Sequence, residues 1–157
     1  IRGNICEIKT LLGDKGGTMG VDASLSDMHT DLKDIAAEAS ALSKSTGAVV
    51  VISGKSDVIS DGEKIGIVNN GCPIMSKITG SGCMLTALTA AFTAANKENT
   101  LEAALSAAVL MGVCGEFAFE NIKKYGGGNA AFRNHLIDAV FNMDGITLER
   151  RADYEIY

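Results

Sequence analysis

Tryptophan is absent from this 157-residue chain, proline occurs once and histidine twice, and aromatic residues make up only 5%. With 46% hydrophobic residues, the core must be built from Ala, Val, Ile, Leu and Gly, a small-aliphatic packing that suits an α/β protein. No block of Lys and Arg appears and the net charge is −5, which argues against nucleic acid or an anionic membrane as partner. No uninterrupted apolar run reaches the roughly 18 residues of a membrane span. The four cysteines (Cys6, Cys72, Cys83, Cys114) are scattered without a C-x-x-C pair, and His29 and His135 add little for zinc. Neither a disulfide framework nor a metal cluster is expected, and free thiols fit a cytoplasmic protein. Repeats and low-complexity segments are also missing. A chain of this length holds one domain with a real core, taken as residues 1–157.

What is present centres on Ile78-Thr79-Gly80-Ser81-Gly82-Cys83-Met84-Leu85-Thr86-Ala87-Leu88. Two glycines bracket a serine, a cysteine follows, and an alanine-rich apolar run begins with helical spacing. Glycine lets the backbone turn tightly and approach a ligand closely. The helix that follows presents unpaired N–H groups and the positive end of its macrodipole, which suits phosphate. Cys83 therefore sits at the rim of an anion site. From position alone, a functional thiol and a small buried hydrophobe weigh equally. A cysteine nucleophile would need a partnered histidine, for which His29 and His135 carry no matching signal.

The chain opens on Ile1-Arg2-Gly3-Asn4 without Met and reads as the end of a strand, so a domain entered partway is expected. Apolar residues at 5, 8, 11 and 12 give a short helical stripe over Ile5–Leu12. Asn4 and Glu7 fit either a helix cap or a carboxylate offered to Mg²⁺, and the cap is the better reading of those two residues alone. Gly13-Asp14-Lys15-Gly16-Gly17 reads as a linker loop rather than a phosphate cradle. Ser26 or Asp27 can cap an amphipathic helix running to about Ser45, ended by Gly47.

Ala48–Ser53 is a β-branched run suited to a buried parallel strand. Val58-Ile59-Ser60 and Lys64–Val68 form a hairpin around Asp61-Gly62. Helices are expected over about Cys83–Asn96, Thr100–Tyr125 and Ala131–Asn142, with Ile146–Arg150 as a last strand and no clear signal in Arg151–Tyr157. The sum is a layered α/β fold with a largely parallel sheet.

The combination of N-x-x-E and G-S-G-C, separated by a helix, a strand and a hairpin, resembles the ribokinase-like superfamily, and within it the hydroxyethylthiazole kinases of thiamine salvage. Gly20-Val21-Asp22, Val49–Gly54, Asn70-Gly71, Gly112–Glu116 and the glycines before Phe132 extend the resemblance over nearly the whole chain. Cys83 is its specific mark, since most ribokinase-like enzymes carry aspartate there. The resemblance implies a layered α/β/α fold without the usual N-terminal βα units, and a C-terminal portion of the family's kinase domain. It implies transfer of the γ-phosphoryl group of ATP to the primary alcohol of 4-methyl-5-(2-hydroxyethyl)thiazole, with Mg²⁺ as cofactor.

By the same resemblance, Gly80, Ser81 and Gly82 form the anion hole and Gly80 also touches the substrate. Cys83 stands in the place of the general base, Arg2 meets the nucleotide phosphates, Ser53 contacts the nucleotide and Glu7 helps hold Mg²⁺. A homotrimer with active sites between subunits is implied, along with an N-terminal segment or companion chain. Cys72 stands where the family has histidine, and Gly126-Gly127-Gly128-Asn129 replaces a proline-containing loop. Another small-alcohol kinase and a non-enzymatic nucleotide-binding fragment remain the alternatives.

Overall fold

A computed structural model describes residues 1–13 and 31–157. The elements are β1 (Arg2–Asn4), α1 (Ile5–Leu11), α2 (Leu32–Thr46), β2 (Val50–Ser53), β3 (Asp57–Ser60) and β4 (Ile65–Val68). A 3-10 turn (Pro73–Lys77) leads to α3 (Ser81–Ala95), α4 (Thr100–Tyr125), α5 (Asn129–Asn142), α6 (Gly145–Arg151) and β5 (Tyr154–Ile156).

The five strands form one sheet in the order β1-β2-β3-β4-β5. Alternation along each strand sends side chains to opposite faces. Val50, Ile52 and Val58 meet Ile5, Ile8, Ala39 and Leu42 of α1 and α2 on one side. Val51, Ile59 and Val68 meet Leu85, Leu101, Leu105 and Val109 of α3 and α4 on the other. The result is the expected layered α/β arrangement. The expectation of a largely parallel sheet is corrected: only β1 and β2 run parallel, while β2–β3, β3–β4 and β4–β5 are antiparallel. Short loops force the reversals, because 54–56 between β2 and β3 and the hairpin loop 61–64 between β3 and β4 can only join antiparallel neighbours.

That hairpin forms as expected, with Ser60 opposite Ile65. The Asp61 carboxylate accepts from the N–H groups of Glu63 and Lys64, and Gly62 adopts φ +96°. Gly47 closes α2 at φ +69°. The described part of α2 begins at Leu32, capped by Asp31, so the expected caps Ser26 and Asp27 lie outside the described residues, as does the loop from Asp14 onward.

The expected strand Ile146–Arg150 is instead helical. Asp144 accepts from the N–H and hydroxyl of Thr147, a cap that starts α6 in place of a strand. The strand lies in the tail, where Tyr154–Ile156 pairs with β4.

The central helix is α4. It is long and apolar enough to cross a membrane, yet 78% of its apolar window is buried within the fold, the situation of a core helix. Two of its glycines admit close neighbours. A Cβ on Gly112 would lie 2.6–2.7 Å from Asn70 backbone and Cβ atoms, and one on Gly115 would lie 2.3 Å from the Met75 sulfur. The 70–75 segment is thus seated in a notch on α4. Alanine would gain up to about 1 kcal/mol of helix propensity at Gly112, but pushing backbone out of a packed contact costs about 1–3 kcal/mol. Gly112→Ala is expected to lower stability by up to about 3 kcal/mol net, read as a lower urea midpoint at unchanged m-value.

Candidate functional site

The G-S-G-C turn sits at the start of α3. Gly80 caps the helix at φ +92°, a conformation natural to glycine alone among common residues. The Ser81 hydroxyl donates to the Met75 carbonyl at 3.0 Å and its N–H points to Ile78 O at 3.3 Å, which pins the turn to the segment seated on α4. The N–H groups of Gly82 and Cys83 have no acceptor among the described residues. They are the donors the first turn leaves open.

Arg2 comes to this turn from the sheet. Its Nη2 donates to Ser53 Oγ at 2.5 Å. A Cβ on Gly82 would lie only 3.0 Å from Arg2 Nη1, so the guanidinium lies against the first turn of α3. Arg2 Nε is buried and lacks a hydrogen-bond partner among the described residues. A cation pressed against the positive end of a helix, with a buried donor unused, is electrostatically incomplete without an anion.

The register explains why these residues meet. Arg2 pairs with Val51, Val51 with Ile59, and Asp57 with Val68. Arg2, Ser53 and Asp57 therefore share the sheet face that α3 and α4 cover, interleaved with Val51, Ile59 and Val68.

Asp57 is the residue that sequence reasoning missed. It opens β3, and its Oδ1 accepts the Gly54 N–H at 2.9 Å, closing the turn that follows Ser53. The residue is half-buried. Burial raises its pKa from the ordinary 3.8 to about 6, against the Gly54 hydrogen bond and the Arg2 charge, which both pull it down. The available signal was an acid two residues before the core-facing Ile59, on the same strand face.

Glu7 is placed by its own helix. Its N–H donates to Asn4 Oδ1 at 2.9 Å and its Oε2 accepts the Asn4 N–H at 2.7 Å, a complete capping box. The cap reading therefore holds. No group of three metal-ligating side chains occurs among the described residues. Toward Mg²⁺ the chain thus offers the Glu7 carboxylate, one oxygen of which is already held by Asn4. That fits an ion bound mainly by nucleotide oxygens with one carboxylate, the usual habit of magnesium, and not a preformed protein cage.

The four cysteines separate by environment. Cys6 and Cys114 are buried, Cys72 is intermediate and Cys83 is exposed. Burial pushes the Cys114 thiol up to about 11. Burial also raises Cys72, which donates to Gly115 O at 3.4 Å. Cys83 alone combines exposure with a helix start. His135 lines a separate cleft among α4, α5 and α6 with Phe117, Asp138 and Thr147, and that cleft includes none of the expected site residues. His29 lies outside the described residues.

Glu116, on α4, braces the site from behind. Its Oε1 accepts from the Gly71 N–H at 2.9 Å and from Asn70 Nδ2 at 3.1 Å. Arg151 reaches Glu116 at 3.4 Å and Glu120 at 2.7 Å, and lies over the Phe117 ring.

A layered α/β chain with a glycine-turned helix start facing an arginine on the sheet is consistent with the ribokinase-like fold. The family model described as the hydroxyethylthiazole kinase family matches residues 1–145, and the chain belongs to that family. It is 48% identical to the hydroxyethylthiazole kinase of Clostridium acetobutylicum, over 100% of this chain and 58% of that protein. Identity to the hydroxyethylthiazole kinase of Clostridium tetani is 40%, over 97% of this chain and 54% of that one. The solved structure of the hydroxyethylthiazole kinase protein from Pyrococcus horikoshii OT3 superposes with a TM-score of 0.82 at 28% identity, covering 99% of this chain and 54% of its own. The chain thus spans just over half the length of the curated relatives it matches.

The half-buried Asp57 costs stability. Its folded pKa lies above the ordinary value, so between pH 3.8 and about 6 the folded protein keeps a proton that the unfolded chain releases. Stability falls across that window and stays lower above it, by an amount on the order of 3 kcal/mol. Asp57→Asn is therefore expected to raise the melting temperature at pH 7.5, with the gain shrinking toward zero near pH 4. Thermal melts of both proteins across that range provide the check.

Proposed function

We propose that this chain carries the phosphoryl-transfer machinery of a hydroxyethylthiazole kinase, which moves the γ-phosphoryl group of ATP to the primary alcohol of 4-methyl-5-(2-hydroxyethyl)thiazole. Residues 1–157 form part of one kinase domain, and the remaining length seen in the relatives, in the same or a companion chain, completes the thiazole pocket. The observation that carries the reading is the Arg2 guanidinium, lying against the first turn of α3 with its buried Nε unpartnered among the described residues.

Phosphoryl transfer depends on alignment and charge neutralisation more than on covalent chemistry. Arg2, oriented by Ser53, binds the nucleotide phosphates, and Ser53 stays within reach of the nucleotide. The open N–H groups of Gly82 and Cys83 aim at the transferring phosphoryl group without needing to reorganise. Ser81 holds the turn in place through Met75, and Gly80 leaves its Cβ side open for the substrate. Cys83 positions the alcohol and takes its proton late. Mg²⁺, held by nucleotide oxygens and Glu7, neutralises phosphate charge when bound. The four free cysteines fit a cytoplasmic protein, and the exposed Ile137, Phe141 and Ile146 offer apolar surface to a homotrimer.

The test is a coupled assay of ATP turnover with the thiazole alcohol, set against pyrimidine and sugar alcohols. Turnover with the thiazole supports the reading, and preference for another alcohol replaces it with a different small-alcohol kinase. ATP binding without turnover of any of them marks a nucleotide-binding fragment. Cys83→Ala is expected to slow kcat by roughly 10²-fold and Cys83→Asp to stay active. Steady-state rates decide it, and an unchanged Cys83→Ala removes the proton-accepting role. Arg2→Ala is expected to raise KM for ATP at least about tenfold, because a charge-assisted phosphate contact is lost.

A further inference from the structure

We propose that Asp57 is the electrostatic counterweight to Arg2, weakening the hold of the site on nucleotide phosphates so that the spent nucleoside diphosphate leaves. The inference rests on the kinase reading. It stands on three geometric facts. First, Asp57 and Arg2 share one face of the sheet, with Ser53 between them on β2. Second, the Gly54 N–H holds the Asp57 carboxylate, which therefore cannot swing away when an anion enters. Third, Asp57 makes no ion pair with Arg2 among the described residues, so Ser53, and not Asp57, orients the guanidinium. The carboxylate acts through its charge alone.

The sign follows from the charges. An incoming phosphate is attracted by the guanidinium and by the start of α3, and repelled by Asp57. At a half-buried position that repulsion is only partly screened by water and salt. The carboxyl group is held at a cost in stability, a pattern that clusters at functional sites. A residue serving the fold alone would be better as asparagine, which keeps the acceptor for Gly54 and sheds the charge.

Calorimetric titration of the full chain with ADP in the presence of Mg²⁺ tests the proposal. Asp57→Asn is expected to bind ADP about tenfold more tightly, while adenosine, which has no phosphate, changes by less than about twofold. Asp57→Glu keeps the charge and is expected to stay within about threefold of the unsubstituted protein. Asp57→Ser, neutral and still able to accept from Gly54, should tighten ADP binding in the same direction and serves if Asp57→Asn fails to fold. Unchanged or weaker ADP binding in a folded neutral variant overturns the proposal and leaves the kinase reading intact. So does an equal gain for adenosine. Failure of the unsubstituted protein to bind ADP overturns both.

Discussion

The close seating of the 70–75 segment on α4 is the constraint from which the site follows. Gly112 and Gly115 remove the side chains that would hold this segment away, and Glu116 accepts from Asn70 and Gly71 immediately beside them. The Met75 carbonyl, fixed by that contact, receives the Ser81 hydroxyl. The first turn of α3 is thereby placed against Arg2, three residues from the start of α1. Packing at a buried helix surface sets the position of the G-S-G-C turn several elements away. A helix whose interior face is so thoroughly enclosed has little freedom to move, which gives the turn a rigid base.

Charge is then concentrated on that base. The guanidinium of Arg2, the end of the α3 dipole and two open N–H groups all present positive potential to one region. Each is tolerable alone, and their convergence is unfavourable until a negative group arrives. Asp57 lies on the same sheet face with the opposite sign. Oriented donors of this kind favour a phosphoryl group because no reorganisation is needed when it binds.

Much of the fold was legible before any coordinates. The hairpin around Asp61-Gly62, the end of α2 at Gly47, and the span of α4 follow from local rules of turn chemistry and periodicity. The asparagine and glutamate at positions 4 and 7 read correctly as a capping box. Local rules failed at the C-terminal end. Ile146–Arg150 has the apolar content of a short strand, but Asp144 and Thr147 cap a helix there, and Tyr154–Ile156 becomes a strand because β4 offers a free edge. Strand direction was also misjudged, since an apolar run such as Val50–Ile52 looks the same in parallel and antiparallel surroundings.

The amino-acid sequence by itself determined the Asn4 cap, the turn at Asp61-Gly62, the end of α2 at Gly47 and the chemical character of G-S-G-C, because each depends on neighbours within a few residues. Family membership was likewise carried by motifs that sit in the chain as short words. The tertiary structure alone decided that Arg2 and Gly82 touch, that Ser53 orients the guanidinium, and that Asp57 shares their face of the sheet. These contacts join β1, β2, β3 and α3 across as many as 80 positions of sequence. No local pattern encodes them, because they arise from sheet register and from how deeply α4 lets the chain approach.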